Sequence, residues 1–119
     1  MPRRQPEAQI QRTVVQHLRC RGARGAVSWH VPHGGARRKT EAAILKGLGV
    51  RAGVADRCIV HAGRFYALQL KAPGGRSTPA QVAFRAEINA AGGFASEALG
   101  LDSAIHRLEA WGLLKGAVL

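Results

Sequence analysis

Gly53-Val54-Ala55-Asp56-Arg57-Cys58-Ile59-Val60 is followed, across His61-Ala62-Gly63-Arg64, by Phe65-Tyr66-Ala67-Leu68-Gln69-Leu70-Lys71. Both runs are apolar and rich in β-branched or aromatic residues, and the four residues between them suit a tight turn. The stretch therefore predicts a β-hairpin. Side chains alternate along a strand, so Gln69 and Lys71 share a face. Asp56 opens the first strand at the end where Lys71 closes the second. The hairpin thus gathers a carboxylate, a carboxamide oxygen and an ammonium at one end of a sheet. Oxygen donors of this kind suit Mg²⁺ or Mn²⁺. A lysine beside them suits a phosphate group in transit.

Outward from the hairpin the order is compact and α/β. Upstream, Pro32 to Gly53 is Gly-rich and basic, with a helical turn expected through Thr40–Leu45. Ala26 to Val31 reads as a first strand. Pro6 suits the first helical position, and a helix is expected to run to about Cys20, stopped by Gly22. Its apolar stripe is Ile10, Val14 and Leu18. Downstream, Pro73-Gly74-Gly75 breaks the chain. A helix follows from about Pro79 to Ala91, ended by Gly92-Gly93. Phe94 to Leu99 reads as a strand, and Asp102 or Ser103 is expected to cap a last helix carrying Ile105, Leu108 and Trp111. The expected order is αβββαβ with a C-terminal helix.

Several of these segments together resemble one family. They are His30-Val31-Pro32-His33-Gly34-Gly35-Ala36-Arg37, Leu45-Lys46-Gly47-Leu48-Gly49-Val50-Arg51-Ala52-Gly53-Val54, and Lys71-Ala72-Pro73-Gly74-Gly75-Arg76-Ser77 with Gln81. With Asp56 and Gln69-x-Lys71 they resemble the virus-type replication-repair nuclease (VRR-NUC) domain of phages and prophages. That domain lies within the PD-(D/E)XK nuclease superfamily. The resemblance runs from about Glu7 to Trp111. It implies a restriction-endonuclease-like core and Mg²⁺- or Mn²⁺-dependent hydrolysis of DNA phosphodiester bonds. It also implies selectivity for branched duplex such as four-way (Holliday) junctions, and a symmetric homodimer. Trp111, Leu113, Leu114, Val118 and Leu119 offer more apolar surface than a chain end needs and suit that interface, with closure of the core by Trp111 as the other reading. Asp56, the Gln69 side-chain oxygen and the Leu70 carbonyl would hold the ion, with Glu7 directly or through water. Lys71 would orient the attacking water or stabilise charge on the phosphate.

Two positions depart from the family's usual residues. Ala55 stands for Pro, and Gln69 for Glu, which removes one negative charge from the metal site. Two other classes therefore stay open. One is a junction-binding module that keeps the fold without catalysis. The other is a basic architectural protein with no site.

Glu7 and Gln81 each carry two readings. Glu7 stands three residues before Ile10 and seven before Val14, a spacing that puts it on the inward stripe. By residues alone it is an N-terminal acid complementing the helix dipole; the resemblance implies a glutamate that reaches the metal. Thr78-Pro79-Ala80-Gln81 has the spacing of a capping box. The resemblance implies that Gln81 lies near the active site and touches the phosphate or the water.

Composition sets bounds on all of this. A chain of 119 residues suits one domain spanning 1–119, with 1–5 as a basic arm carrying Arg3 and Arg4. The formal net charge is +11 and the sequence pI about 11.5, which favours a polyanionic partner. Arg37, Arg38, Lys39, Lys46 and Arg51, with Arg76 beyond the second hairpin strand and His33 on the rim, are the expected phosphate contacts. Aromatics are few, with no stacking platform for single strands. No apolar run approaches the ~18 residues of a spanning helix, and no secretory signal is present, so no membrane role is expected. Cys20 and Cys58 lack metal or redox spacing and are expected to be reduced, in the cytoplasm of a bacterial or phage-infected cell. His30-x-x-His33 lacks a partner pair for zinc. The P-loop order is absent, no Ser/His/Asp or Cys/His arrangement stands out, and no small-molecule cofactor beyond the metal is expected.

Overall fold

The His61–Arg64 turn sets the frame of the sheet. In the computed structural model Ala62 (φ 51°) and Gly63 (φ 76°) both adopt left-handed backbone, while His61 pairs with Arg64. Two consecutive positive-φ residues make the primed turn whose twist matches paired strands. Placing glycine at one of the two limits the strain. The structure describes residues 6–32 and 39–116, with Lys39, Thr40 and Ala42 as backbone only. The expected basic arm at 1–5 and the chain end at 117–119 lie outside the described residues.

The elements run α1 (Glu7–Arg21), β1 (Val27–His30), α2 (Lys39–Gly47), β2 (Arg57–His61), β3 (Arg64–Lys71), α3 (Pro79–Ala90), β4 (Phe94–Leu99) and α4 (Leu101–Ala110). The sheet order is β1-β2-β3-β4. The first three strands are antiparallel, and β3 and β4 are parallel. A parallel neighbour needs a crossover, and α3 supplies it. The expected order of strands and helices therefore holds, with one correction. The turn expected near Thr40–Leu45 is a full helix, α2. It packs little against the rest of the fold, and its Ile44 is exposed.

The two faces of the sheet are covered differently. On one, Ile59, Tyr66, Leu68, Leu70 and Ala98 pack against Ile10 and Val14 of α1 and Ala104 and Leu108 of α4. On the other, Ala67 packs with Ala55 and Phe84 of α3, flanked by Phe65, Ile88 and Ala95. The alternation of β3 explains the split, because Tyr66, Leu68 and Leu70 point one way and Phe65, Ala67 and Gln69 the other. Burying a leucine as completely as Leu68 contributes roughly 1.5–3 kcal/mol.

Two further expectations are corrected. The last helix is not capped by Asp102 or Ser103: its N-cap is Gly100, and Asp102 lies in the first turn. The C-terminal apolar residues are not surplus surface. Leu113 and Leu114 are buried, and the Trp111 ring lies 5.3 Å from that of Tyr66. The chain end folds back on α1, with Ala23 N–H donating to Leu113 O, Lys115 N–H to Arg21 O, and a Gly22–Leu114 bridge. Arg21 also pairs with Glu109 at 2.7 Å. Val118 and Leu119, invoked with them, lie outside the described residues.

Candidate active site

The end of the hairpin is built by its register. Arg57 pairs with Leu68, so Asp56, one residue earlier, stands opposite Gln69. The Gln69 carboxamide donates from Nε2 to Asp56 Oδ2 at 2.7 Å, and the Leu70 backbone N–H donates to the same oxygen at 2.8 Å. The N–H and C=O of one strand residue lie on the same edge. The Leu70 carbonyl therefore also faces the Asp56 side of β3. Lys71, half-buried, follows on the face shared with Gln69. Its carbonyl is engaged on the other edge, accepting from Gly100 N–H at 2.8 Å.

The loop before Asp56 is clamped against α3. Gly53 adopts φ 83°, and a Cβ there would lie 2.4 Å from the carbonyl carbon and oxygen of Ala80. Only glycine lets the two backbones approach so closely in that conformation. Across the sheet, His30 Nδ1 lies 3.0 Å from the Asp56 backbone oxygen, which suits the tautomer protonated at Nδ1. Val31 N–H donates to the same oxygen at 2.8 Å. Asp56 is thereby fixed from β1, from β3 and, through its loop, from α3.

Gln69 is 1 % exposed, and its Oε1 is buried with no hydrogen-bond partner. Such an atom costs about 1–3 kcal/mol when unsatisfied. A half-turn of the carboxamide would present Oε1 beside Asp56 instead. Among the described residues no group of three or more His, Cys, Asp or Glu could hold a metal ion. A cation here would rest on Asp56 with the neutral oxygens of Gln69 and Leu70. This donor set is all oxygen and fits Mg²⁺ or Mn²⁺.

No family model matches the sequence, and no curated protein does. Among solved structures the fold is similar to that of a VRR_NUC domain protein, with a TM-score of 0.77 and 25% identity over 92% of this chain and 90% of that one. The chain has the fold of a VRR-NUC domain. That likeness supports a nuclease-domain fold, on which the remaining expected site residues can be placed.

Glu7 begins α1 and is exposed, whereas Ile10 and Val14 on the same helix are buried. It is therefore not on the buried stripe, as its spacing had suggested. Gln81 completes the capping box of α3: Thr78 Oγ1 accepts from Gln81 N–H at 3.2 Å, and Gln81 Oε1 accepts from Thr78 N–H at 2.9 Å. Its backbone N lies at the Gly53 contact, so the cap stands directly beside the loop leading to Asp56. Lys46 and Arg76 are exposed. Arg51 pairs with Glu87 at 2.5 Å and lies over the Phe84 ring. That contact pulls the exposed Glu87 carboxyl below its usual range. His33, Arg37 and Arg38 lie outside the described residues, as does the Lys39 side chain. Cys58 is buried on the sheet face of the candidate site, and burial pushes its thiol up, as for an inert packing cysteine.

A second carboxylate on this face escaped the sequence reading. Glu97 of β4 pairs in register with Gln69. It accepts from Ser77 Oγ at 2.9 Å, and Arg85 donates to the same hydroxyl at 2.9 Å. Ser77 follows the turn after Lys71, so this chain of polar contacts braces the segment between β3 and α3. No local motif marks Glu97. Only the parallel register of β3 and β4 brings it beside Gln69.

Proposed function

We propose that this VRR-NUC domain is a Mg²⁺- or Mn²⁺-dependent endodeoxyribonuclease acting on branched duplex DNA. The observation that carries the proposal is the Asp56 carboxylate held by Gln69 and the Leu70 backbone, with the buried Gln69 Oε1 unpartnered, next to Lys71. Hydrolysis joins a water oxygen to phosphorus and breaks a phosphorus–oxygen bond to the leaving sugar. When bound, a divalent cation supplies positive charge to the nonbridging phosphate oxygens and makes a water more acidic. After a half-turn of the Gln69 carboxamide, Asp56 and Gln69 would hold oxygens toward one point. Lys71 offers an ammonium to the charge that builds on the phosphate. Gly53 and the α3 cap hold Asp56 in place, so that little reorganisation is left for the reaction itself.

The formal charge of +11 supports a polyanionic substrate. Lys46 and Arg76, with Arg37, Arg38 and Lys39, would contact phosphates and so position the duplex without reading its sequence. Cutting two strands of a junction takes two sites, hence a pair of copies. Of the C-terminal residues first considered for that pairing, Leu113 and Leu114 are buried. The exposed apolar residues Val27, Trp29 and Val60, on β1 and β2, are the better surface for it.

A second function keeps the fold and binds junctions without cutting. It is favoured by one observation: the Gln69–Asp56 hydrogen bond satisfies the carboxylate in part without any cation. One panel separates the two. Labelled duplex, flap, splayed-arm and four-way-junction DNAs are incubated with Mg²⁺, Mn²⁺ or EDTA, and binding is followed alongside. Metal-dependent nicking of the junction supports the nuclease. Tight junction binding with no product in either metal supports the binding module. Light scattering at micromolar concentration tests the pairing; a mass near the 12.7 kDa of one chain, with and without junction DNA, would end it.

A further inference from the structure

On the sheet face opposite Asp56, a cavity of about 280 Å³ opens between α1 and the β1–β2 edge. Its walls are apolar, from Val15, Leu18 and Ala26, and its polar groups are Arg19, Ser28 and Arg57. Arg57 is the unusual member. It occupies a strand position whose neighbours Cys58 and Ile59 are buried, and it is itself only 7 % exposed. Its Nη1 donates to Ser28 Oγ at 3.1 Å, while Nε is buried with no hydrogen-bond partner. Among the described residues no carboxylate pairs with it. Burial lowers its pKa from the ordinary guanidinium value, though an arginine remains protonated at neutral pH. A buried cation without a counter-charge is costly, and an aliphatic side chain would fill the position more cheaply. The guanidinium fork is shaped to take a carboxylate or phosphate side-on. Arg19, in the last turn of α1, adds a second positive charge to the same cavity.

We propose that this cavity is a binding site for a small oxyanion, a phosphate or carboxylate head on a compact apolar body. The head pairs with Arg57 and Ser28, and the body lies against Val15, Leu18 and Ala26. The volume is near the lower end for small-ligand pockets, which suits a single ring and its head group. The site is separate from the candidate active site. Arg57 pairs with Leu68, whose side chain is on the α1 face, whereas Asp56 is bonded to Gln69, whose side chain is on the other.

The test is an amide NMR titration of the full chain with phenyl phosphate, benzoate and inorganic phosphate, at constant ionic strength. Saturable shifts are expected at Val15, Arg19, Ser28 and Arg57 with at least one of the two ring-bearing anions. The anion that saturates first identifies the preferred head group. Arg57→Met should raise the half-saturation concentration roughly tenfold or more, the scale for losing a buried charge-assisted hydrogen bond. Val15→Trp fills the cavity with Arg57 intact and should abolish the shifts. No saturation at these residues with any of the three anions overturns the proposal. So do shifts that persist unchanged in either variant, because they then report only the anion atmosphere of a basic surface.

Discussion

Asp56 Oδ2 accepts a hydrogen bond from Gln69 Nε2 at 2.7 Å. An amide can make this contact and an ionised carboxylate cannot, because it has no proton to give. Gln69 therefore exchanges one property for another. The metal-free site is self-satisfied on the Asp56 side, and one ligand charge is lost.

Restoring that charge has opposite effects with and without metal. In Gln69→Glu two carboxylates meet across the hairpin. Without metal the variant should lose roughly 1–3 kcal/mol of stability at neutral pH, from the lost hydrogen bond and like-charge repulsion. Repulsion raises the folded-state pKa of the pair above the unfolded value of about 4. The repulsive share of that penalty therefore fades as the pH falls through the raised pKa toward 4. Adding Mg²⁺ should raise the melting temperature of the variant more than that of the natural sequence, and cutting should need less metal. Equal melting temperatures for the two proteins, with and without Mg²⁺, would show that position 69 does not face the ion.

Lys71→Ala should lower the single-turnover cleavage rate roughly 10²-fold or more, the scale for losing a charge partner of the transition state. Its junction affinity should change little, since one cation among many contributes little to binding a polyanion. Rates and binding isotherms on one substrate decide this. Cleavage near the natural rate would remove Lys71 from the chemistry.

The two roles of Gln81 separate by substitution. Gln81→Ala breaks the capping box and should cost about 1 kcal/mol in urea unfolding. Gln81→Glu keeps the box, since glutamate serves equally at that position, and should keep the stability. If Gln81 also meets the phosphate, the added negative charge will depress cleavage while unfolding is unchanged. A Gln81→Glu protein that cuts normally leaves it a cap alone.

Gly53→Ala tests the clamp behind Asp56. The added Cβ meets Ala80 backbone at 2.4 Å in a left-handed conformation. Left-handed strain alone costs about 1–2 kcal/mol, and the collision adds to it. A total loss of about 2 kcal/mol or more is expected, with cleavage falling further than stability predicts because Asp56 shifts. An unfolding midpoint equal to that of the natural sequence would mean the contact is looser than the structure has it.

The sequence by itself determined whatever depends on short-range spacing. Alternation put Gln69 and Lys71 on one face. A two-residue turn carried Asp56 to the level of Gln69, because pairing outward from His61–Arg64 leaves no other register. Thr78-Pro79-Ala80-Gln81 announced its own cap. Only the tertiary structure decided what rests on distant elements meeting. The basic loop's α2 was underestimated because a short helix with little packing leaves a weak periodic signal. The parallel pairing of β3 with β4 brings Glu97 beside Gln69, across 27 intervening positions of chain that no local pattern spans. No local pattern marks Arg57 for burial; it is buried on the sheet face that α1 helps to cover. Trp111, Leu113 and Leu114 read as spare apolar surface until the chain end turned back on α1. Hydrogen-bond geometry and side-chain alternation act over a few residues, so the sequence carries them directly. Which face a side chain loses to solvent depends on packing between segments far apart, and only the assembled fold decides it.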